Sequence, residues 1–366
     1  MLTRREIYLR PVGLYPANFG EKAQQVWGCL QLAGGWLDFT AVEICERNGE
    51  KVERRIINLS DLMERDWGRQ ALRASDTYSY LQSPRARIHN LCLDSPRIMG
   101  IVNVTPDSFY KDSRFSDTEA AIAHGIRLVN EGADILDIGG ESTRPGSCPV
   151  PESIELKRVI PVIEGLAGKV NALISVDTRK PSVMLSAIRS GADIINDVSA
   201  LSYDHKSLEV VAEANVPVIL MHLQGTPKTM QDNPIYNDVV LDVFDYLESR
   251  IDACLRAGIS RHKIIIDPGI GFGKTLDQNL RLLSHLSILH GFGLPVLLGA
   301  SRKSFIAQLT AASTVDERLS GSIATACHAV AQGVQIVRVH DVAETRRALK
   351  VWQGLSQGVK NIECSS

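Results

Sequence analysis

The feature that most constrains this chain is a rhythm of eight short apolar runs, at 98–102, 135–138, 172–176, 193–195, 217–221, 263–266, 294–298 and 335–339. Segments of helical composition lie between them, such as 119–131, 152–166, 181–189 and 239–257. A short apolar run closed by turn formers reads as a strand buried on both faces. Strand–helix alternation calls for parallel strands, and eight such units close naturally into a (β/α)8 barrel. A doubly wound open sheet is the alternative, but it usually has fewer strands and a single phosphate-binding loop. The first run shows the pattern. It ends at Asn103, and Pro106 then stops the strand and holds Thr105 extended.

Each run ends in residues a core would not choose: Asn103, Gly139-Gly140-Glu141, Asp177, Asn196-Asp197, His222, Asp267, Ser301-Arg302-Lys303, and Arg338 with His340-Asp341. A lone Asp at a strand end is often the N-cap of the next helix. Polar groups at all eight ends are expected instead to form one site, because barrel enzymes place their chemistry at the C-terminal ends of the strands.

Residues 1–95 differ in character and are expected to form a small α+β extension, followed by the barrel over 96–358 and a C-terminal tail at 359–366. Asn48-Gly49 separates the alternating stretch 36–45 from 52–57, which predicts a β-hairpin. A short helix over 59–72 with Ser60 as N-cap, then a linker over 75–89, complete the reading. This part contains no catalytic constellation and reads as a structural or docking appendage.

The formal net charge of −2 leaves no electrostatic footprint for nucleic acid or an anionic membrane, so an anionic ligand must be held by a local site. No apolar run reaches membrane-spanning length, and the first residues lack a signal peptide's apolar centre. Seven scattered cysteines without a C-x-x-C pair fit a reducing compartment. A cytoplasmic protein is expected.

Some motifs mislead. Between Gly269 and Gly273 lie three residues where a P-loop has four, so this glycine-rich stretch is expected to bring backbone close to a ligand instead of cradling a nucleotide. His285, His290 and His328 lack zinc-ligand spacing, and no G-x-S-x-G supports a serine hydrolase. Cys148 reads as an exposed thiol rather than a nucleophile.

The blocks Met99-Gly-Ile-Val-Asn-Val-Thr-Pro-Asp-Ser-Phe109, Asp137-Ile-Gly-Gly-Glu-Ser-Thr-Arg-Pro-Gly146, Ser175-Val-Asp-Thr178 and Ile195-Asn-Asp197 resemble dihydropteroate synthase. So do Met221-His-Leu-Gln-Gly225, Asp267-Pro-Gly-Ile-Gly-Phe-Gly-Lys274, Ser301-Arg-Lys-Ser304 and Arg338-Val-His-Asp341, in family order over about 97–355. The resemblance implies condensation of 6-hydroxymethyl-7,8-dihydropterin diphosphate with 4-aminobenzoate, through departure of pyrophosphate and attack of the arylamine on a cationic pterin methylene. It implies that Asp177, Asn196 and Asp267 satisfy the pterin edge and that Lys303 donates to the ring carbonyl. Arg338 and His340, two apart on one strand, would take the diphosphate, and Asn103 would meet a Mg²⁺ ion on it. Phe109, Thr143, Arg144 and Pro145 on two loops would enclose the aminobenzoate, with Ser304 at a helix start accepting its carboxylate. Sulfonamides would compete there, and the family is commonly homodimeric.

One departure stands out. After Phe109 the family usually reads Ser-Asp-Gly-Gly, whereas this chain has Tyr110-Lys111-Asp112-Ser113. Asp112 is expected to supply the acid that steadies the cationic intermediate, with Lys111 outside. Two alternatives remain: a non-catalytic pterin-binding paralogue or partner subunit, prompted by that loop, and a corrinoid-linked pterin methyltransferase, which would need neither Thr143-Arg144-Pro145 nor Ser304.

Overall fold

The computed structural model describes residues 6–17, 28–65, 71–105, 117–142, 146–226 and 228–357. Phe109, Asp112, Thr143, Arg144, Pro145 and the expected tail at 359–366 lie outside the described residues.

In the N-terminal part, β1 (Glu6–Val12), β5 (Ala41–Asn48) and β6 (Lys51–Asn58) form an antiparallel sheet in the order β1-β5-β6. The β5–β6 pair is the expected hairpin: Asn48 faces Lys51, and Gly49 takes the left-handed φ of 63° that the tight turn needs. Its first strand begins only at Ala41, because β4 (Leu37–Phe39) pairs instead with β2 (Tyr15–Pro16) and β3 (Leu30–Leu32).

The next helix, α1 (Leu59–Glu64), is shorter than expected and is capped by Asn58, whose Oδ1 accepts the Asp61 N–H at 2.8 Å. Ser60 is not the cap; it donates its Oγ–H to the same Asn58 oxygen. The expected linker is also corrected, since its first half is helix: α2 spans Ala71–Gln82 and buries Ala74, Thr77 and Leu81 at helical spacing, with Pro84 just beyond its end.

The extension shares one apolar core with the barrel. Tyr8 packs edge-on to Phe244 at 5.3 Å, Phe244 stacks on Phe292 at 3.9 Å, and Trp36 donates its indole N–H to Val330 O at 3.0 Å. Charge reinforces the seam: Arg47 reaches Asp242 at 2.9 Å and also pairs with Asp245, and Arg54 pairs with Asp238.

The remainder is the expected TIM barrel. Its strands are β7 (Arg97–Asn103), β8 (Ile135–Gly139), β9 (Leu173–Asp177), β10 (Ile194–Asp197), β11 (Val218–Met221), β12 (Ile264–Asp267), β13 (Leu297–Leu298) and β14 (Ile336–Val339). They are parallel in the order β12-β11-β10-β9-β8-β7-β14-β13, and a parallel bridge from Ile266 to Val296 joins the two edges. Around them run α3 (Asp117–Asn130), α4 (Glu152–Leu166), α5 (Pro181–Arg189), α6 (Lys206–Ala214), α7 (Val239–Arg256), α8 (Leu276–Ser284), α9 (Ser304–Thr310), α10 (Leu319–Ala331) and α11 (Val342–Gln357).

Alternate residues of a strand face the same side, and this sorts the barrel interior into levels. The lowest is apolar: Met99, Ile135, Ile194, Ile219, Ile265, Leu297 and Ile336. Ile88, Leu91 and Leu93, from the connector before β7, pack into the same cluster and close the lower mouth. Two residues further along, the level changes character to Ile101, Asp137, Ser175, Asn196, Met221, Asp267, Gly299 and Arg338. One more step reaches Asn103, Gly139, Asp177, Ser301 and His340.

Candidate active site

Arg338 sits at the centre of the polar level. Its Nε donates to Asp137 Oδ2 at 2.6 Å and its Nη2 to Asp177 Oδ2 at 3.0 Å. Asp137, wholly buried, also accepts from Ser175 Oγ at 2.7 Å and from Asn196 Nδ2 at 3.0 Å. Two carboxylates, an amide, a hydroxyl and a guanidinium are thus joined across four strands.

Asp267 stands opposite, its Oδ1 accepting the Gly269 N–H at 2.7 Å. Two interior glycines keep the space open. A Cβ at Gly299 would stand 3.6 Å from Asp267 Oδ2 and 3.8 Å from Arg338 Cδ. One at Gly139 would lie 3.5 Å from Asp177 Cβ and 3.8 Å from Asn103 Oδ1.

Lys303 enters from the start of α9, donating to Ile270 O and lying 3.9 Å above the Phe272 ring. The Gly269–Gly273 stretch is folded around Lys274, whose Nζ donates to Gly269 O at 2.8 Å and Phe272 O at 2.9 Å and meets His222 Nδ1 at 2.9 Å. Lys274 therefore takes no P-loop role: it is buried as an internal tie for the loop.

Burial governs the electrostatics. It pushes the Asp177 carboxyl up to about 8, with Asp137 adding to the rise and Arg338 opposing it. Asp267 is raised for the same first reason, tempered by the Gly269 N–H and Lys303. Burial brings the Lys303 ammonium down to about 7 although Asp267 favours its charge. Burial also works against the Arg338 charge, but Asp137 and Asp177 more than offset it.

Of the residues expected from sequence, Asp177, Asn196, Asp267, Lys303 and Arg338 converge on this cavity, and Asn103 stands on the level above. His340 lies at the rim, its Nδ1 3.1 Å from Ser301 Oγ, and Ser304 is exposed at the first position of α9.

Other members of the polar ring serve the scaffold. Asp197 accepts from Ser199 N, Ser199 Oγ and Leu201 N and so caps a turn. Asp341 pairs with Arg302 at 2.6 Å, Glu141 pairs with Arg179 and Lys180, and His222 is spent on Lys274. Asp137 and Ser175 were missed as site residues because they sit inside apolar runs. Counting back two from Gly139 and Asp177 would have found them.

Among the described residues no helix is long and apolar enough to cross a membrane, and no group of three or more His, Cys, Asp or Glu side chains could hold a metal.

A model of the family described as pterin binding enzyme matches residues 99–340. The dihydropteroate synthase of Escherichia coli strain K12 is 47% identical over 272 residues, covering 74% of this chain and 96% of that protein. The solved Xanthomonas albilineans dihydropteroate synthase with 4-aminobenzoic acid superposes with a TM-score of 0.71 at 50% identity, covering 75% of this chain and 99% of that one. The same organism's enzyme in complex with 7,8-dihydropteroate gives 0.69 at 47% identity, covering 75% of this chain and all (100%) of that one. With a polar cavity at the C-terminal mouth of a (β/α)8 barrel and likeness on this scale, the chain belongs to the pterin-binding enzymes, among the dihydropteroate synthases.

Proposed function

We propose that this chain joins 6-hydroxymethyl-7,8-dihydropterin diphosphate to 4-aminobenzoate, releasing pyrophosphate and 7,8-dihydropteroate. The observation that carries the reading is the buried set Asp177, Asn196 and Asp267 facing one cavity with Arg338 between them and Lys303 beside it. A cavity walled by hydrogen-bonding groups on this scale selects a flat, polar-edged ring, because any ring lacking that edge leaves buried groups unpaired.

In this reading Asp177, Asn196 and Asp267 hold the pterin edge and Lys303 donates to its carbonyl. Arg338 and His340 meet the diphosphate, whose negative charge grows as it leaves, so their interaction strengthens toward the transition state. Asp112 steadies the cationic pterin. Phe109, Thr143, Arg144 and Pro145 enclose the aminobenzoate, and Ser304 receives its carboxylate.

The described donor set fits a Mg²⁺ ion brought in on the diphosphate better than a resident metal cage: one neutral carboxamide oxygen, from Asn103, stands at the rim beside Asp177. When bound, such an ion would draw negative charge from the leaving group. Residues 96–358 are the catalytic barrel in this account and 1–95 an appendage docked on it, with 359–366 a tail. A cytoplasmic homodimer completes the proposal.

Mixing the protein with the pterin diphosphate, 4-aminobenzoate and Mg²⁺ and measuring pyrophosphate tests it. Release that depends on the arylamine is the expected result. Pterin binding without release would favour the second reading, a pterin-binding protein without turnover, which the sequence Tyr110-Lys111-Asp112-Ser113 prompts.

A further inference from the structure

Asp137 has no role in the reaction as just described, yet it is among the most completely enclosed charged side chains of the barrel, with no exposure to solvent. Burying a carboxylate is costly unless its lone pairs are matched. Here they are matched unevenly: Oδ1 takes the Ser175 hydroxyl at 2.7 Å, while Oδ2 takes both Asn196 Nδ2 at 3.0 Å and Arg338 Nε at 2.6 Å. Both partners of Oδ2 belong to the proposed ligand site, on strands β10 and β14, far apart in the chain.

The chemistry of the Asn196 contact is directional. A carboxylate that pairs with a guanidinium can only accept hydrogen bonds, so only the nitrogen end of a neighbouring carboxamide can face it. The amide's orientation follows from this pairing alone. The oxygen of Asn196 is then the end turned away from Asp137. Without Asp137 the amide could turn over and offer either end.

We propose that Asp137 is a specificity-determining positioning residue: by holding the nitrogen of Asn196 it makes that side chain present only an acceptor to the cavity, and so selects ring ligands that offer an N–H donor there over those that offer a carbonyl. The chemical class selected is a heteroaromatic ring bearing an exocyclic amine, as in a pterin, against the same ring with oxygen in place of that amine. The inference rests on the pterin site proposed above.

The test uses the full-length protein and two ligands without a diphosphate and reads the ratio of their affinities, so that a disturbance of Arg338 through its shared bond to Asp137, which acts on both ligands alike, is kept out of the readout. Affinities for 6-hydroxymethylpterin and for its 2-oxo counterpart are measured by calorimetry for wild type, Asp137→Leu and Ser175→Ala. Wild type is expected to prefer the amine. In Asp137→Leu, which is close in shape and leaves Asn196 Nδ2 no acceptor, the preference should shrink roughly tenfold or more, because a turned amide relieves the clash of acceptors with the carbonyl ligand. Ser175→Ala, which leaves the bond to Asn196 in place, should keep the preference.

An equal loss for both ligands in Asp137→Leu, or an unchanged ratio, overturns the inference and leaves the pterin site standing. Wild type that binds neither ligand removes the pterin site itself. Should Asp137→Leu not fold, side-chain amide exchange in wild type decides. The Asn196 Nδ2 protons, assigned by their absence in Asn196→Asp, should exchange far more slowly than those of an exposed amide. Exchange at the solvent rate would mean that the nitrogen faces the cavity, and the inference would fall.

Discussion

Arg338 carries two obligations at once: it neutralises Asp137 and Asp177, and in the proposed reaction it meets the leaving diphosphate. Arg338→Ala should therefore lower kcat/KM for the diphosphate substrate by an amount equivalent to about 2–4 kcal/mol while weakening binding of the free pterin alcohol much less. Steady-state kinetics and calorimetry separate the two, and an equal loss for both ligands would make Arg338 structural. Asp177→Ala and Asp267→Ala should each fold yet lose pterin affinity in titration, since each removes a buried acceptor.

Lys303 gives a pH test. Its ammonium form is held down to about 7 by burial, and an anionic ligand favours that form. As pH rises through about 7 the ligand-free protein sheds this proton, so binding has to recover it and affinity falls. Lys303→Arg keeps the charge and should remove the part of the affinity loss centred near 7, leaving the part near 8 where the Asp177 carboxyl ionises, as dissociation constants measured from neutral to alkaline pH will show.

At this scale the sequence made the outer part of the site legible, because Asn103, Asp177, Asn196 and Asp267 end apolar runs. It could not separate them from Asp197 and Asp341, which look the same in one dimension but cap a turn and hold Arg302. Asp137 stayed hidden because its flanking residues, Leu136 and Ile138, face outward to the helices and disguise it as core.

Among the elements, the strands and the hairpin were readable from apolar runs and from Asn48-Gly49, where local chemistry suffices. Helix α2 was not: its buried face, Ala74, Thr77 and Leu81, is spaced for a helix but too weakly apolar to stand out, and it gains its burial from the rest of the fold. The loop after β7 shows the opposite problem, an expectation that sequence alone supports. The chemistry needs a negative charge beside a developing cation, and an inward ammonium would repel it. Asp112→Asn should then cut turnover sharply and Lys111→Ala leave it nearly intact. The reverse outcome in the same pyrophosphate assay would refute this assignment.

For the molecule as a whole, the extension and barrel share one core, so unfolding should be a single event. Trp36 is 6% exposed and bonded to Val330 O, across the seam. Trp36→Ala should lower stability by about 3–5 kcal/mol and shift one common transition in chemical denaturation, whether followed by an extension or a barrel probe. Two separate transitions would mean the seam is weaker than its packing implies.

The apolar level of the barrel interior, closed beneath by Ile88, Leu91 and Leu93, has a kinetic consequence of its own. With its lower end plugged, the cavity is a blind well, and molecules in it queue in the order they arrive. In the proposed reaction the pterin, assigned to the deepest groups, would have to go in first, and an arylamine arriving early would stand in its way. On the return journey the pyrophosphate must clear the rim before the longer product can climb out past it. Dihydropteroate should then inhibit competitively against the pterin diphosphate, the pattern of a vessel with one opening.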